Sequence, residues 1–182
     1  TMFNVSISLC TQPPYRYVAS VRRQRPQTNE ALVEESMSTQ TTREEHKEIV
    51  RREFDRVWNA NDLDALDELY AENVRIGTVR SGADDALVTR ADVKLLHDEW
   101  DMGFSDATTE INELVAEGDV VMVWWTIRGT HDGSFRGVEP TGNHVEVDGF
   151  SLRRIDDGTI VEVKDAASML TLFDQLGVEL PV

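Results

Sequence analysis

Apolar residues recur at helical spacing through the first part of the chain and at every second position through the later part. Ile49, Val50, Phe54, Val57 and Trp58 form one helical stripe, and Thr42 with Glu45 supplies the S/T-x-x-E pattern that satisfies free amides at a helix start. "NAND" ends that helix. Asp62 is expected to cap a second one, with Leu63, Leu66, Leu69 and Tyr70 on its apolar face. A short strand, "NVRIGTV", follows, and Thr89 with Asp92 opens a third helix bearing Val93, Leu96, His97 and Trp100. From Phe104 the period becomes two. "DATTEINELVAEG", "VVMVWWTIRGT", "HVEVDGFSLRRI" and "TIVEVKDA" read as successive antiparallel strands, and "SMLTLFDQL" as a last helix stopped by Gly177. Helices first and a meander afterwards predict an α+β fold, with a curved antiparallel sheet wrapped around three N-terminal helices to form a cone.

One segment interrupts the strands. "HDGSFRGVEPTGNH", residues 131–144, packs three glycines, a proline and two histidines between two apolar alternating runs. Pro140, Thr141 and Gly142 form a turn sequence, so the segment reads as a long connection at the open end of the cone. His131, His144 and Asp132 have none of the usual metal-ligand spacings, and no metal is expected there.

Composition adds a boundary. Residues 1–36 hold three of the five prolines, the single Cys10 and the basic run "RYVASVRRQR", with a net charge of +1. They are expected to form a mobile N-terminal extension, with the domain spanning 37–182. The whole chain carries 34 acidic against 18 basic residues, a net charge of −16, and only three lysines. Such a surface repels nucleic acid and anionic membranes, so neither is an expected partner. No apolar run approaches the roughly 18 residues needed to cross a bilayer. "MFNVSISLC" lacks the basic flank of a signal peptide, and one cysteine suits a reducing compartment. The expected location is cytoplasmic.

The segments "EIVRREFDRVWNANDLDALDELYAENV", "FSDATTEINELVAEGDVV", "RGTHDGSFRGVEPTG" and "RRIDDGTIVEVKDAASMLTLFDQLG" together resemble the SnoaL-like polyketide cyclase family, part of the nuclear transport factor 2-like superfamily of α+β cones. The resemblance runs from about Glu45 to Gly177, and its most specific part is Gly129 to Gly142. It implies a cofactor-free cyclase or isomerase acting on a polyketide-like or other carbonyl-bearing hydrophobic molecule. It also places the family's acid–base aspartate at Asp165. One carboxyl can both remove a proton beside a carbonyl and return it to oxygen, and burial in an apolar cavity would favour this by raising its affinity for the proton.

Two departures from the family pattern remove polar partners: Ser151 stands where an assisting histidine is found, and Val163 and Ala166 replace a histidine and a tryptophan. The same resemblance places Trp58 and Leu96 against ligand, while helical spacing adds Trp100 and strand alternation adds Trp125. His97 and Ser151 are the remaining candidate binding residues. Arg128, Arg136, Arg153 and Arg154 read as solvated rim or surface ion pairs. A binding protein that uses the same cavity without turnover is the alternative. Phe150, Leu152 and Ile160 are expected on the outer sheet face, which predicts a homodimer or larger homo-oligomer.

The charge excess also bears on stability. Removing the +1 segment leaves −17 on the domain. Acidic, lysine-poor chains of this kind are typical of proteins adapted to concentrated salt. At 1 M salt the screening length shrinks to ~3 Å, so carboxylate repulsion fades. The melting temperature should therefore rise from dilute buffer to molar KCl, and equal values would refute the salt-adaptation reading.

Overall fold

The computed structural model describes residues 29–78 and 85–178. It has helix α1 (Asn29–Arg52), which runs directly into a π-helical segment (Glu53–Asn59), then α2 (Ala65–Leu69), β1 (Tyr70–Thr78), β2 (Ala86–Thr89) and α3 (Arg90–Gly103). Strands β3 (Thr108–Glu117), β4 (Val120–Thr130), β5 (His144–Asp156) and β6 (Thr159–Ala167) follow, and α4 (Met169–Gln175) closes the described chain. The six strands form one curved, unclosed sheet in the order β2-β1-β6-β5-β4-β3. The expected antiparallel meander is β3 to β6. The early strand β1 joins its far side and runs parallel to β6, with Thr78 opposite Asp165.

Local chemistry explains where the helices depart from expectation. Helix α1 begins at Asn29, and Thr42 lies inside it rather than at its start. The Thr41 and Thr42 hydroxyls donate to the carbonyls of Met37 and Ser38, one turn back, so neither caps. The remainder of the expected N-terminal extension, residues 1–28, lies outside the described residues. At Glu53 the turns widen, as the bond from the Ala60 amide to the Asp55 carbonyl (3.0 Å) shows. Asp62 spends its carboxylate on Arg56 at 2.6 Å, and α2 begins only at Ala65. The third helix follows the sequence closely: the Thr89 hydroxyl accepts from the Asp92 amide while Asp92 accepts from that of Thr89.

Strand alternation holds through the long central pair. Val121, Val123, Trp125 and Ile127 of β4 face inward beside Ser151, Arg153 and Ile155 of β5. Buried residues form two clusters. One lies beneath α1 and the π-helical segment, and the other gathers Phe104, Phe135, Val145, Val147 and Leu172. Ile160 belongs to the first and is fully buried, not on the outer face. Between Arg154 and Ile155 the β5–β6 register shifts, leaving Val161 as an extra residue, so Ile160 and Val163 both point to the core. The convex face instead exposes Val115, Met122, Trp124 and Phe150. The Trp124 and Phe150 rings stack with centroids 6.2 Å apart.

The 131–144 connection folds back onto the helices. His131 and Phe135 are fully buried against Phe104, and Trp100 packs on Phe135. His144 is exposed opposite Thr130, so the two histidines do not meet. Glycine is required at 133, where an added Cβ would sit 1.7 Å from the Met102 carbonyl oxygen. Gly142 adopts φ +73, as its place in the turn sequence requires. Among the described residues no helix is long and apolar enough to cross a membrane.

Candidate active site

Asp165 stands near the end of β6 on the concave face, opposite Ser151 of β5. Its Oδ1 accepts from the Ser151 hydroxyl and from Arg153 Nη1 at 2.9 Å. Ser151 in turn accepts from the Trp125 indole nitrogen at 2.7 Å. The single Ser151 proton is thereby spent on Asp165 and is not free for a ligand. Asp165 Oδ2 has no hydrogen-bond partner among the described residues. The side chain is 40% exposed, and what it lines is cavity.

Two adjoining cavities meet at this carboxylate. The inner one, about 100 Å³, is walled by Phe54, Trp58, Trp100, Trp125 and Ile127, with Thr109, Ser151, Arg153 and Asp165 as its polar members. The wider one, about 250 Å³, shares Trp58, Trp100, Arg153 and Asp165 and extends past Leu96 and Met169 to Glu99 and Arg136 at its rim. Arg136 pairs with Glu99 at 3.0 Å, joining the long connection to α3. Of the residues expected at the site, Asp165, Ser151, Trp58, Trp100 and Trp125 surround the inner cavity, and Leu96 lines the wider one. His97 does not join them. It is buried behind Trp58, its Nε2 bonded to the Val57 carbonyl at 2.9 Å, and it lines a separate cavity of about 170 Å³.

Arg153 corrects the reading of a solvated rim. It is 2% exposed and among the largest fully buried side chains, while Arg128, Arg136 and Arg154 do make outer ion pairs. Its Nε and Nη2 donate to Glu53, itself 0% exposed, at 2.9–3.1 Å. Glu53 Oε1 also accepts from the Tyr70 hydroxyl at 2.5 Å and from Trp58 Nε1 at 3.3 Å. Burial, with the Glu53 carboxylate beside it, pushes the Tyr70 phenol well above its ordinary range. Burial works against the Arg153 charge, but Glu53 and Asp165 outweigh it and hold the guanidinium well above its ordinary value. Arg153 was detectable from alternation alone, since it follows Val145, Val147, Gly149 and Ser151 on one face. Glu53, between Val50 and Val57 on the apolar stripe, carried a weaker signal. Among the described residues no group of three or more His, Cys, Asp or Glu is placed to hold a metal ion.

Comparison with known proteins agrees with this fold. The family model for SnoaL-like polyketide cyclases matches residues 48–176. A structure from Jannaschia sp. CCS1, proposed to be a SnoaL-like polyketide cyclase, superposes with a TM-score of 0.68 at 23% identity over 76% of this chain and 95% of that one. AclR of Streptomyces galilaeus, proposed to be a hydroxylase, gives 0.66 at 28% identity over 77% and 89%. IdmH of Streptomyces antibioticus, proposed to be a polyketide cyclase, gives 0.63 at 28% over 73% and 99%. No curated protein matches the chain in sequence.

The Trp125–Ser151 contact depends on the absence of a side chain at Gly149, where an added Cβ would lie 2.2 Å from the indole ring. Gly149→Ala should displace Trp125, lower stability in urea melts by about 1–3 kcal/mol and change the tryptophan emission. Unaltered stability and emission would show that the ring is not held in this way.

Proposed function

This chain belongs to the SnoaL-like polyketide cyclase family, and from that premise we propose that it closes or isomerises a carbonyl-bearing hydrophobic small molecule by acid–base chemistry at Asp165. The observation that carries the reading is the division of labour within one carboxylate. Oδ1 is held by Ser151 and Arg153, while Oδ2 has no such partner on a side chain that lines the aromatic-walled cavity. In this scheme Oδ2 removes a proton from a carbon next to a carbonyl, giving an enolate and a neutral Asp165. The enolate carbon attacks a second carbonyl carbon, a C–C bond forms, and the new alkoxide takes the proton back from Asp165. The carboxylate is regenerated with every atom and charge accounted for. Since the Ser151 proton is committed, the protonated Asp165 itself serves as donor to the developing oxyanion. Trp58, Trp100 and Trp125 would hold the flat part of the ligand and exclude water from the enolate.

We further propose that a second copy of the chain covers the convex face. Trp124 and Phe150 stack there at 42% and 54% exposure, flanked by Val115 and Met122. A contiguous apolar strip on so acidic a surface is costly to leave in water. Light scattering in molar KCl should give a dimer or larger, with Trp124→Glu shifting it toward monomer, and a monomeric wild type would sink this.

Asp165→Asn tests the chemistry. With β-tetralone in D₂O, the wild type should catalyse exchange of the protons beside the carbonyl. The variant should keep the fold and ligand binding while losing about 10²–10⁴-fold in exchange rate. Equal rates would remove Asp165 from the mechanism. A wild type that binds the ketone without exchanging its protons would favour a binding protein without turnover.

A further inference from the structure

We propose that Glu53 is a positioning residue that acts through Arg153 to set the charge felt by Asp165, an inference that rests on Asp165 being the base. Arg153 is shared. Its Nε and Nη2 point to Glu53 and its Nη1 to Asp165, so one buried guanidinium lies between a buried carboxylate and one that lines the cavity. Glu53 has the fuller claim, through three contacts of 2.9–3.1 Å against one of 2.9 Å to Asp165. With one positive and two negative groups, Glu53 offsets most of the Arg153 charge. Asp165 is left oriented by Nη1 without facing an unopposed cation. A base needs this balance. An arginine alone would hold the carboxylate so strongly ionised that it would be a poor proton acceptor, whereas no donor at all would leave it free to rotate.

The other charged and titratable groups near Asp165 are already committed. Tyr70, from β1, donates to Glu53. Glu99 of α3 and Arg136 of the long connection pair with each other at the far rim. Lys164, the next residue on β6, is taken by Asp85 and Glu162. His97 faces the Val57 carbonyl behind Trp58. The Arg153–Glu53 pair is therefore the charge that bears on Asp165, and Glu53 is its adjustable member. Through Trp58 Nε1 the same carboxylate also anchors one wall of both cavities. Buried ion pairs can often be replaced by well-packed apolar residues of similar volume, so fold stability alone does not call for a charged pair here.

The test uses two variants and a readout that needs no substrate. The carboxyl-carbon NMR resonance of Asp165, assigned by its absence in Asp165→Asn, is titrated in the wild type, in Glu53→Gln and in the double variant Glu53→Met with Arg153→Met. Glutamine keeps the acceptor oxygen but removes the charge. The Asp165 midpoint should then fall, because the guanidinium beside it is no longer opposed by the Glu53 charge. In the double variant the guanidinium is gone, and the midpoint should rise above the wild type. The acid limb of β-tetralone exchange should move in the same two directions, through kcat rather than KM. Midpoints that coincide in all three folded proteins would overturn the proposal. If Glu53→Gln does not fold, Glu53→Asp decides, since its shorter side chain keeps the charge but draws it back from Arg153: a lowered Asp165 midpoint supports the proposal and an unchanged one overturns it. Shifted midpoints without any exchange would instead count against Asp165 as a catalytic base.

Discussion

The buried pairing of Arg153 with Glu53 is the interaction on which the rest of this structure depends. It joins a strand in the middle of the sheet to a residue 100 positions earlier in the chain, where α1 gives way to the π-helical segment. A guanidinium buried without a partner is prohibitively unfavourable, and removing one member of such a pair costs about 3–5 kcal/mol. Glu53 must therefore sit where Arg153 is. Tyr70 and Trp58 converge on the same carboxylate, so β1 and the far end of the π-helical segment are placed by it as well. Wider helical turns suit this geometry, since they bring Glu53 and Trp58, five residues apart, to one side.

The cavity is a consequence of that placement. Once Trp58 is tied to Glu53 and Trp125 to Ser151, two large rings are fixed as walls and cannot collapse onto Asp165. Gly149 gives the Trp125 ring its room, and Ala167 leaves space where a larger side chain would fill it. On either side of the space lie conventional cores, one beneath α1 and one formed by Phe104, Phe135 and Leu172, which hold the sheet's curvature without entering the cavity. The long connection contributes to the second core through Phe135 and His131 and reaches the rim through Arg136. His131 there has a packing role, and the proposed chemistry sits about the β5–β6 pair.

The outer ion pairs belong to a different regime. Arg128 pairs with Glu110 and Glu146, and Arg154 with Asp119 of the β3–β4 turn and the partly buried Glu162. Each is worth ~1 kcal/mol or less in water and weakens as salt screens it. They moderate the excess of carboxylates locally. Arg153 and Arg154 are neighbours in sequence, yet one charge organises the interior and the other relieves surface repulsion.

Local pattern was enough to determine the class of fold, the four meander strands, the Thr89 cap and the final helix stopped by Gly177, because period and end signals are written within a few residues. Strand alternation also placed Trp125 on the inner face, and the family resemblance marked Asp165 and Ser151. The tertiary structure decided the rest. Arg153 lay on the inner face by alternation, but arginine is so seldom buried that its neighbourhood read as surface until a partner was present. Glu53 had no local mark as that partner, since it stands 100 positions from Arg153 in sequence. Ile160 turned inward through a register shift that only the pairing of β5 with β6 creates. Local pattern determines which face a side chain takes, but whether a charge can stay on that face depends on what the far end of the chain brings to meet it.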